Sequence, residues 1–353
     1  MDFKKALEDL VTIVVNENGS DLHLSEGRHP MIRVDGYLIP LLKKTLLSRE
    51  HMMGIMEVLI GSEQGDTFLR DQEIDFSYNV KGVARFRGNG FIHQEKIAFA
   101  LRLIPLKIRT IEELALPLIL KDFTKKKQGF FLCVGPVGHG KTTTLAAMID
   151  IINHERTEHI ITIEDPIEYV YTPDKAMIDQ REVRIDTSSF HTALRSTFRQ
   201  DVDVILIGEM RGIETISTAV TAAETGHLVF STLHTNDASQ TIDRIIDSFP
   251  ASQQGQIRLQ LAGSLTGIFS QRLLPRISGG LVPAYELLIN NVAVANLIRE
   301  ERAHEIPTLI ETGSELGVID FNRSLIALIQ AGDITVEDAY LHSTNPKLLE
   351  KLL

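Results

Sequence analysis

The 353-residue sequence holds one cysteine, Cys133. This excludes an internal disulfide and any four-cysteine zinc site built by one chain, and its apolar setting at 130–134 reads as a small core side chain. Basic charge is also short. Lys and Arg number 36 against 47 Asp and Glu, a formal net charge of -11, which argues against a chain whose main task is coating nucleic acid, since phosphate binding needs clustered cations in excess. No apolar run reaches the roughly 18 residues of a membrane span, and residues 1–9 mix charges where a signal peptide would be apolar. The expectation is a cytosolic protein with no direct membrane insertion. No internal repeat and no Gly/Ser, Gln or Pro tract is present. What remains, 43% hydrophobic and 24% charged, is ordinary for folded proteins, and the length exceeds the roughly 100–200 residues of one domain.

Phe3, Leu7, Leu10, Val11 and Val14 fall at helical spacing over 2–18, and Asn18-Gly19-Ser20 stops the pattern. Short extended runs follow at 21–24, 31–34, 75–80, 84–92 and 97–103, broken by Gly27, Gly36, Gly82 and Gly88. Residues 1–103 therefore read as a small α+β domain. Pro105 and Pro117 bracket a linker over 104–117. In the second domain, 118–353, apolar runs at 130–134, 160–163, 204–207 and 228–230 alternate with helical patterns at 141–152, 189–199 and 212–225. That order predicts an α/β domain with a mainly parallel sheet covered on both faces. Short helices are expected from about 291, with Gly313, Gly317 and Gly332 at their ends.

Gly135-Pro136-Val137-Gly138-His139-Gly140-Lys141-Thr142 fits G-x-x-x-x-G-K-[ST] between an apolar strand and a helix, with Thr143 following. The glycines let the backbone curl so that successive N–H groups face phosphates, and the helix N-terminus adds favourable partial charge. Lys141 would reach the β and γ phosphates of ATP, and Thr142 would hold Mg²⁺. A second run, 203–211, is an apolar strand ending in Glu209, the form of a Walker B strand. Gly208 stands where many P-loop enzymes carry Asp, so Glu209 is assigned to the metal and its water. A third element packs Glu164, Asp165 and Glu168 around Pro166. One of them would align water, although the same residues read equally as a solvated turn. In a fourth, His227 and His234 stand at the two ends of one strand, too far apart to share a metal. One of them suits a γ-phosphate sensor or, equally, a hydrogen-bonded core histidine.

Together these four elements resemble the Walker A, Asp, Walker B and His boxes of the secretion and type IV pilus ATPase family. Ser20-Asp21-Leu22-His23-Leu24-Ser25, Arg33-Val34-Asp35-Gly36, Ala84-Arg85-Phe86-Arg87, Gly208-Glu209-Met210-Arg211, the block 221–227 and the block 241–247 extend the likeness over nearly the whole chain. The resemblance implies a PAS-like N-terminal domain, a RecA-like P-loop ATPase domain with a C-terminal helical segment, and a homohexamer with ATP held between subunits. It implies Glu168 as catalytic base, Glu209 in the Mg²⁺ and water network, and His227 and His234 as the His box. Arg85, Arg87 and Arg102 are the candidates for arginines that complete a neighbouring subunit's site. Val137 and His139 replace the family's usual Thr and Ser at positions expected to contribute backbone only. The segment 293–300 resembles a retraction-specific motif, with Ala295 where that motif has Arg. Assembly and type II secretion members carry an extra N-terminal domain and a four-cysteine zinc motif; this sequence has neither. The implied function is an ATP-driven motor for type IV pilus retraction and twitching, working through an inner-membrane platform protein at the cytoplasmic face, with no nucleic-acid partner. An accessory pilus motor, a nucleotide-gated regulator with little turnover and a RecA-like DNA motor are the competing expectations.

Overall fold

Alternating apolar and polar residues in the first hundred positions close one antiparallel sheet against helices. α1 (Phe3–Asn16) buries Leu7, Leu10, Val11 and Val14 on one stripe, and the Asp2 side chain caps it by accepting from the Lys5 amide. β1 (Asp21–Ser25), β2 (Met31–Val34) and β3 (Tyr37–Pro40) precede the helical segment α2 (Arg49–Asp71), and β4 (Glu73–Val80), β5 (Ala84–His93) and β6 (Lys96–Ile104) follow. The sheet order is β3-β2-β1-β6-β5-β4. α2 has no counterpart in the sequence reading, because Gly61, with φ 73°, breaks its period into two shorter helices. Gly88, read as a break, lies inside β5: a Cβ there would come within 2.2 Å of the Phe76 ring, so the glycine makes room for a core aromatic.

The computed structural model describes residues 2–34, 36–80, 82–104, 107–210, 212–313 and 317–353. Asp35, Pro105 and Arg211, each part of a sequence pattern above, lie outside them. Chain contacts divide into two units, Met1–Lys107 and Ile108–Leu353. The stretch read as a linker joins the second unit from Ile108, since Ile111 and Leu116 are buried in that unit's core.

In the second unit α3 (Leu120–Thr124) leads into β7 (Gly129–Val134), α4 (Lys141–Glu155), β8 (His159–Glu164), β9 (Met177–Glu182), α5 (Phe190–Thr197) and β10 (Val204–Ile207). α6 (Ile213–Glu224), β11 (Leu228–Leu233), α7 (Ala238–Asp247), α8 (Ala251–Ser264), β12 (Leu265–Pro275) and β13 (Leu281–Ile289) complete the sheet layers. The sheet order is β13-β12-β7-β11-β10-β8-β9, parallel except for the β12–β13 pair. Two apolar clusters cover its two faces, as continuous apolar strands require. β11 lies between β7 and β10, so the end of β11 separates the glycine loop from Glu209. The helices α9 (Val292–Arg299), α10 (Ile306–Thr312), α11 (Phe321–Gln330), α12 (Val336–His342) and α13 (Pro346–Leu352) end the chain, and Phe321, Leu325, Ala339 and Leu349 pack on Leu274, Val282 and Ala284 of the β12–β13 hairpin.

Candidate nucleotide site

β7 ends at Val134, and the glycine loop curls from there into the first turn of α4. Gly135, Gly138 and Gly140 take φ of 141°, 81° and 80°. At Gly135 a glycine is obligatory, because a Cβ would lie 2.2 Å from the Gln271 carbonyl oxygen. Lys141 is 6% exposed, and its Nζ donates to the carbonyls of Gly135 and Pro136 at 2.8 Å each. Burial lowers its pKa, while the charges of Glu168 and Glu209 act the other way. A cation caged by carbonyls in a curl of backbone is positioned for an anion of several oxygens. Val137 is 78% exposed. His139 does not follow the expectation of a backbone-only role: its Nδ1 accepts from the Leu273 amide at 2.9 Å. The Thr143 hydroxyl lies 2.9 Å from the Tyr169 hydroxyl.

His234, just beyond the end of β11, fills the gap that the strand order creates. Its Nδ1 is 3.2 Å from Lys141 Nζ, and its Nε2 is 3.7 Å from the Glu209 carboxylate. Lys141, His234 and Glu209 therefore meet at the carboxyl ends of the adjacent central strands β7, β11 and β10, and the charge of Glu168 also acts to keep Lys141 protonated. Glu164 is 4% exposed, which removes the solvated-turn reading for this residue. Its carboxylate accepts from the Thr162 hydroxyl at 2.6 Å, with Gln180 Nε2 at 3.4 Å, and burial pushes its pKa up to about 7. β9 holds the rest of the turn: the Ile167 amide donates to Glu182 and the Tyr171 amide to Gln180. The sequence reading missed this edge strand, which is rich in polar side chains because they bond the turn.

His227 is not brought to the loop. It precedes β11 at the opposite end of the strand, roughly 20 Å away by strand rise, where its Nδ1 meets the Ala222 carbonyl and its ring stands edge-on to Phe198. Its assignment to cofactor binding within one chain is corrected accordingly. Arg85, Arg87 and Arg102 belong to the first unit, on the sheet face opposite the buried Ala84, Phe86 and Leu101. Arg87 pairs in register with Arg102. Arg102 Nε donates to Asp21 at 3.1 Å, and Arg85 lies 3.5 Å from the Ser77 hydroxyl. Ala295 is 7% exposed in α9, within the core.

Gln271 is a residue bonded to the glycine loop that sequence reasoning missed. It is 3% exposed on β12, accepts from the Thr144 hydroxyl at 2.6 Å and donates to the His139 carbonyl at 2.9 Å. A polar Ser270-Gln271-Arg272 step inside the apolar run 268–274 was the available signal. Beside it opens a cavity of about 400 Å³ lined by Thr143, Leu114, Ala115, Leu116, Leu281, Pro283, Arg109 and Arg276. Glu113, Thr144 and Gln271 also line it, so apolar and polar side chains alternate around a space next to the phosphate loop, a mixture that suits a base and its sugar.

Comparison with known proteins decides the family. The model described as type II/IV secretion system protein matches residues 3–281. The chain belongs to the type II/IV secretion system protein family. Among relatives of this secretion-system protein, the type IV pilus retraction ATPase PilT of Pseudomonas aeruginosa is 43% identical over 333 residues, 94% of this chain and 96% of its own. The type IV pilus ATPase PilU of the same organism is 40% identical over 357 residues, spanning 100% of this chain and 91% of its own. A crystal structure described as the pilus retraction motor PilT with bound ADP matches at a TM-score of 0.92 and 44% identity over 99% of each chain. The Legionella pneumophila ATPase DotB shares the fold at a TM-score of 0.80 and 24% identity over 95% of each chain. The fold of this chain is thus the one that these two solved structures have over 95% or more of their length.

Among the described residues no group of three or more His, Cys, Asp or Glu forms a cage for a metal. Thr142, at the start of α4, and Glu209 offer hard oxygen donors only, which fits Mg²⁺ held mainly by phosphates and water. No helix among the described residues is long and apolar enough to cross a membrane.

Proposed function

We propose that the protein is an ATP-hydrolysing motor of the retraction class that works as a homohexamer on a type IV pilus, through an inner-membrane platform protein at the cytoplasmic face. The observation that carries this reading is the convergence of Lys141, His234 and Glu209 at the carboxyl ends of three adjacent strands, in a chain 43% identical to a pilus retraction ATPase along 94% of its length. Lys141 would leave its carbonyl cage for the β and γ phosphates. Mg²⁺, held by Thr142 and Glu209, would neutralise phosphate charge. Glu168 would align the attacking water, and His234 would sense the γ-phosphate between Lys141 and Glu209. Arg85, Arg87 and Arg102 of a neighbouring copy would complete the site, since an arginine supplied in trans stabilises the charge spread over the transferred phosphoryl group. The cavity at Leu114 to Leu116 would take the adenosine.

Steady-state phosphate release by the purified protein tests the site. Lys141→Ala should abolish turnover, and Glu168→Gln should retain nucleotide while hydrolysing it at least 100-fold more slowly. Unchanged rates in both variants would refute the assignment. One observation keeps the accessory-motor reading in view. Ala295, where the retraction motif has Arg, is packed in the core and offers no charge to a partner.

A further inference from the structure

The apex of the phosphate loop is fastened by a side chain that the glycine motif does not specify. β7 pairs with β12 only as far as Val134 opposite Ser270, and then leaves the sheet to become the loop. Beyond that point the strand side of β12 that faced β7 has lost its ladder partner. On the other side Leu273 faces Pro283 of β13. The Leu273 amide donates instead to His139 Nδ1 at 2.9 Å. Gln271, two residues earlier on the same side of β12, donates to the carbonyl of that same histidine at 2.9 Å, while its Oε1 accepts from Thr144 in the first turn of α4 at 2.6 Å.

We propose that His139 is a positioning residue for nucleotide binding: its imidazole takes the ladder position that β7 vacates and, with Gln271, holds the loop apex in the curl that turns its amides toward phosphate. The inference rests on the nucleotide-binding reading of the loop. For Nδ1 to accept, the ring must be neutral with its hydrogen on Nε2. The surroundings favour that form, because burial and the neighbouring Lys141 of α4, Arg272 of β12 and His342 of α12 all act against protonation. The loop would then meet its ligand already shaped, and binding would not have to order it.

The test uses the full-length protein with His139→Ala and His139→Asn, whose Oδ1 can replace Nδ1 as acceptor. Phosphate release gives kcat and KM for ATP, titration with ADP gives Kd, and thermal unfolding reports folding. His139→Ala should raise KM and the ADP Kd about fivefold, the worth of one hydrogen bond, with the change on KM rather than kcat because ground and transition states use the loop alike. His139→Asn should return both to within about twofold. Unchanged KM and Kd in His139→Ala, or equal loss in the two variants, would overturn the proposal. Should the alanine variant fail to fold, a fivefold weaker Kd in a folded His139→Asn protein would overturn it as well. Full hydrolysis by Lys141→Ala would instead remove the nucleotide-site reading beneath it.

Discussion

Replacing Gly135 with alanine should damage the site more than any other single methyl added to the loop. The new Cβ would sit 2.2 Å from the carbonyl oxygen of Gln271, where 3.0 Å is the least separation that real Cβ atoms keep, so about 0.8 Å of movement is forced. The obstacle is main chain of β12, where Gln271 is paired with Tyr285 of β13 and has no soft torsion to yield. Overpacking of this kind costs about 1–3 kcal/mol, and an L-residue at φ 141° costs about 1–3 kcal/mol more. If the loop yields instead, a displacement near 1 Å at the phosphates costs on the order of 100-fold in turnover. Gly138→Ala is the control, because its Cβ meets nothing within 4 Å and carries only the strain of φ 81°, about 1–2 kcal/mol. Urea unfolding of both variants, alongside phosphate release, should give Gly135→Ala the lower midpoint and at least 100-fold lower activity. Equal midpoints, or a more stable Gly135→Ala, would refute the steric argument.

Glu164 gives the protein a pH-dependent stability whose sign follows from its environment. Burial raises its pKa from the ordinary 4.5 to about 7, so its stabilising contribution is present below 4.5 and is lost as pH rises through 7. Glu164→Gln should therefore gain up to about 3 kcal/mol over the parent at pH 8 and almost nothing at pH 4.5, measured by unfolding midpoints across that range; a gain independent of pH would contradict the assignment. Arg87→Ala should bind ADP normally yet hydrolyse ATP at least 100-fold more slowly. Mixing it with Lys141→Ala subunits should restore part of the activity by pairing an intact lysine with an intact arginine, and no recovery would argue against arginines in trans.

The glycine loop was legible in the sequence because its glycines, lysine and threonine occupy fixed positions between a strand and a helix, and the structure places each of them there. Glu209 and His234 were legible as residues at the ends of apolar strands. Their partnership was not, since it depends on β11 entering the sheet between β7 and β10, an order no local pattern encodes. Gln271 and the side-chain role of His139 were hidden for the same reason: they act across 132 residues of chain. His227 was assigned through the family resemblance, although the seven-residue spacing already put it at the opposite end of the strand from His234. α2 was obscured by Gly61, and β9 by the polar side chains that tie down the Glu164–Glu168 turn.

The central claim is tested most directly by deleting the gene in its own host and counting surface filaments by electron microscopy on cells also scored for twitching. The account predicts excess pili with twitching lost, both restored by the parent gene and neither by Lys141→Ala. Normal or absent pili, or twitching that persists, would contradict it.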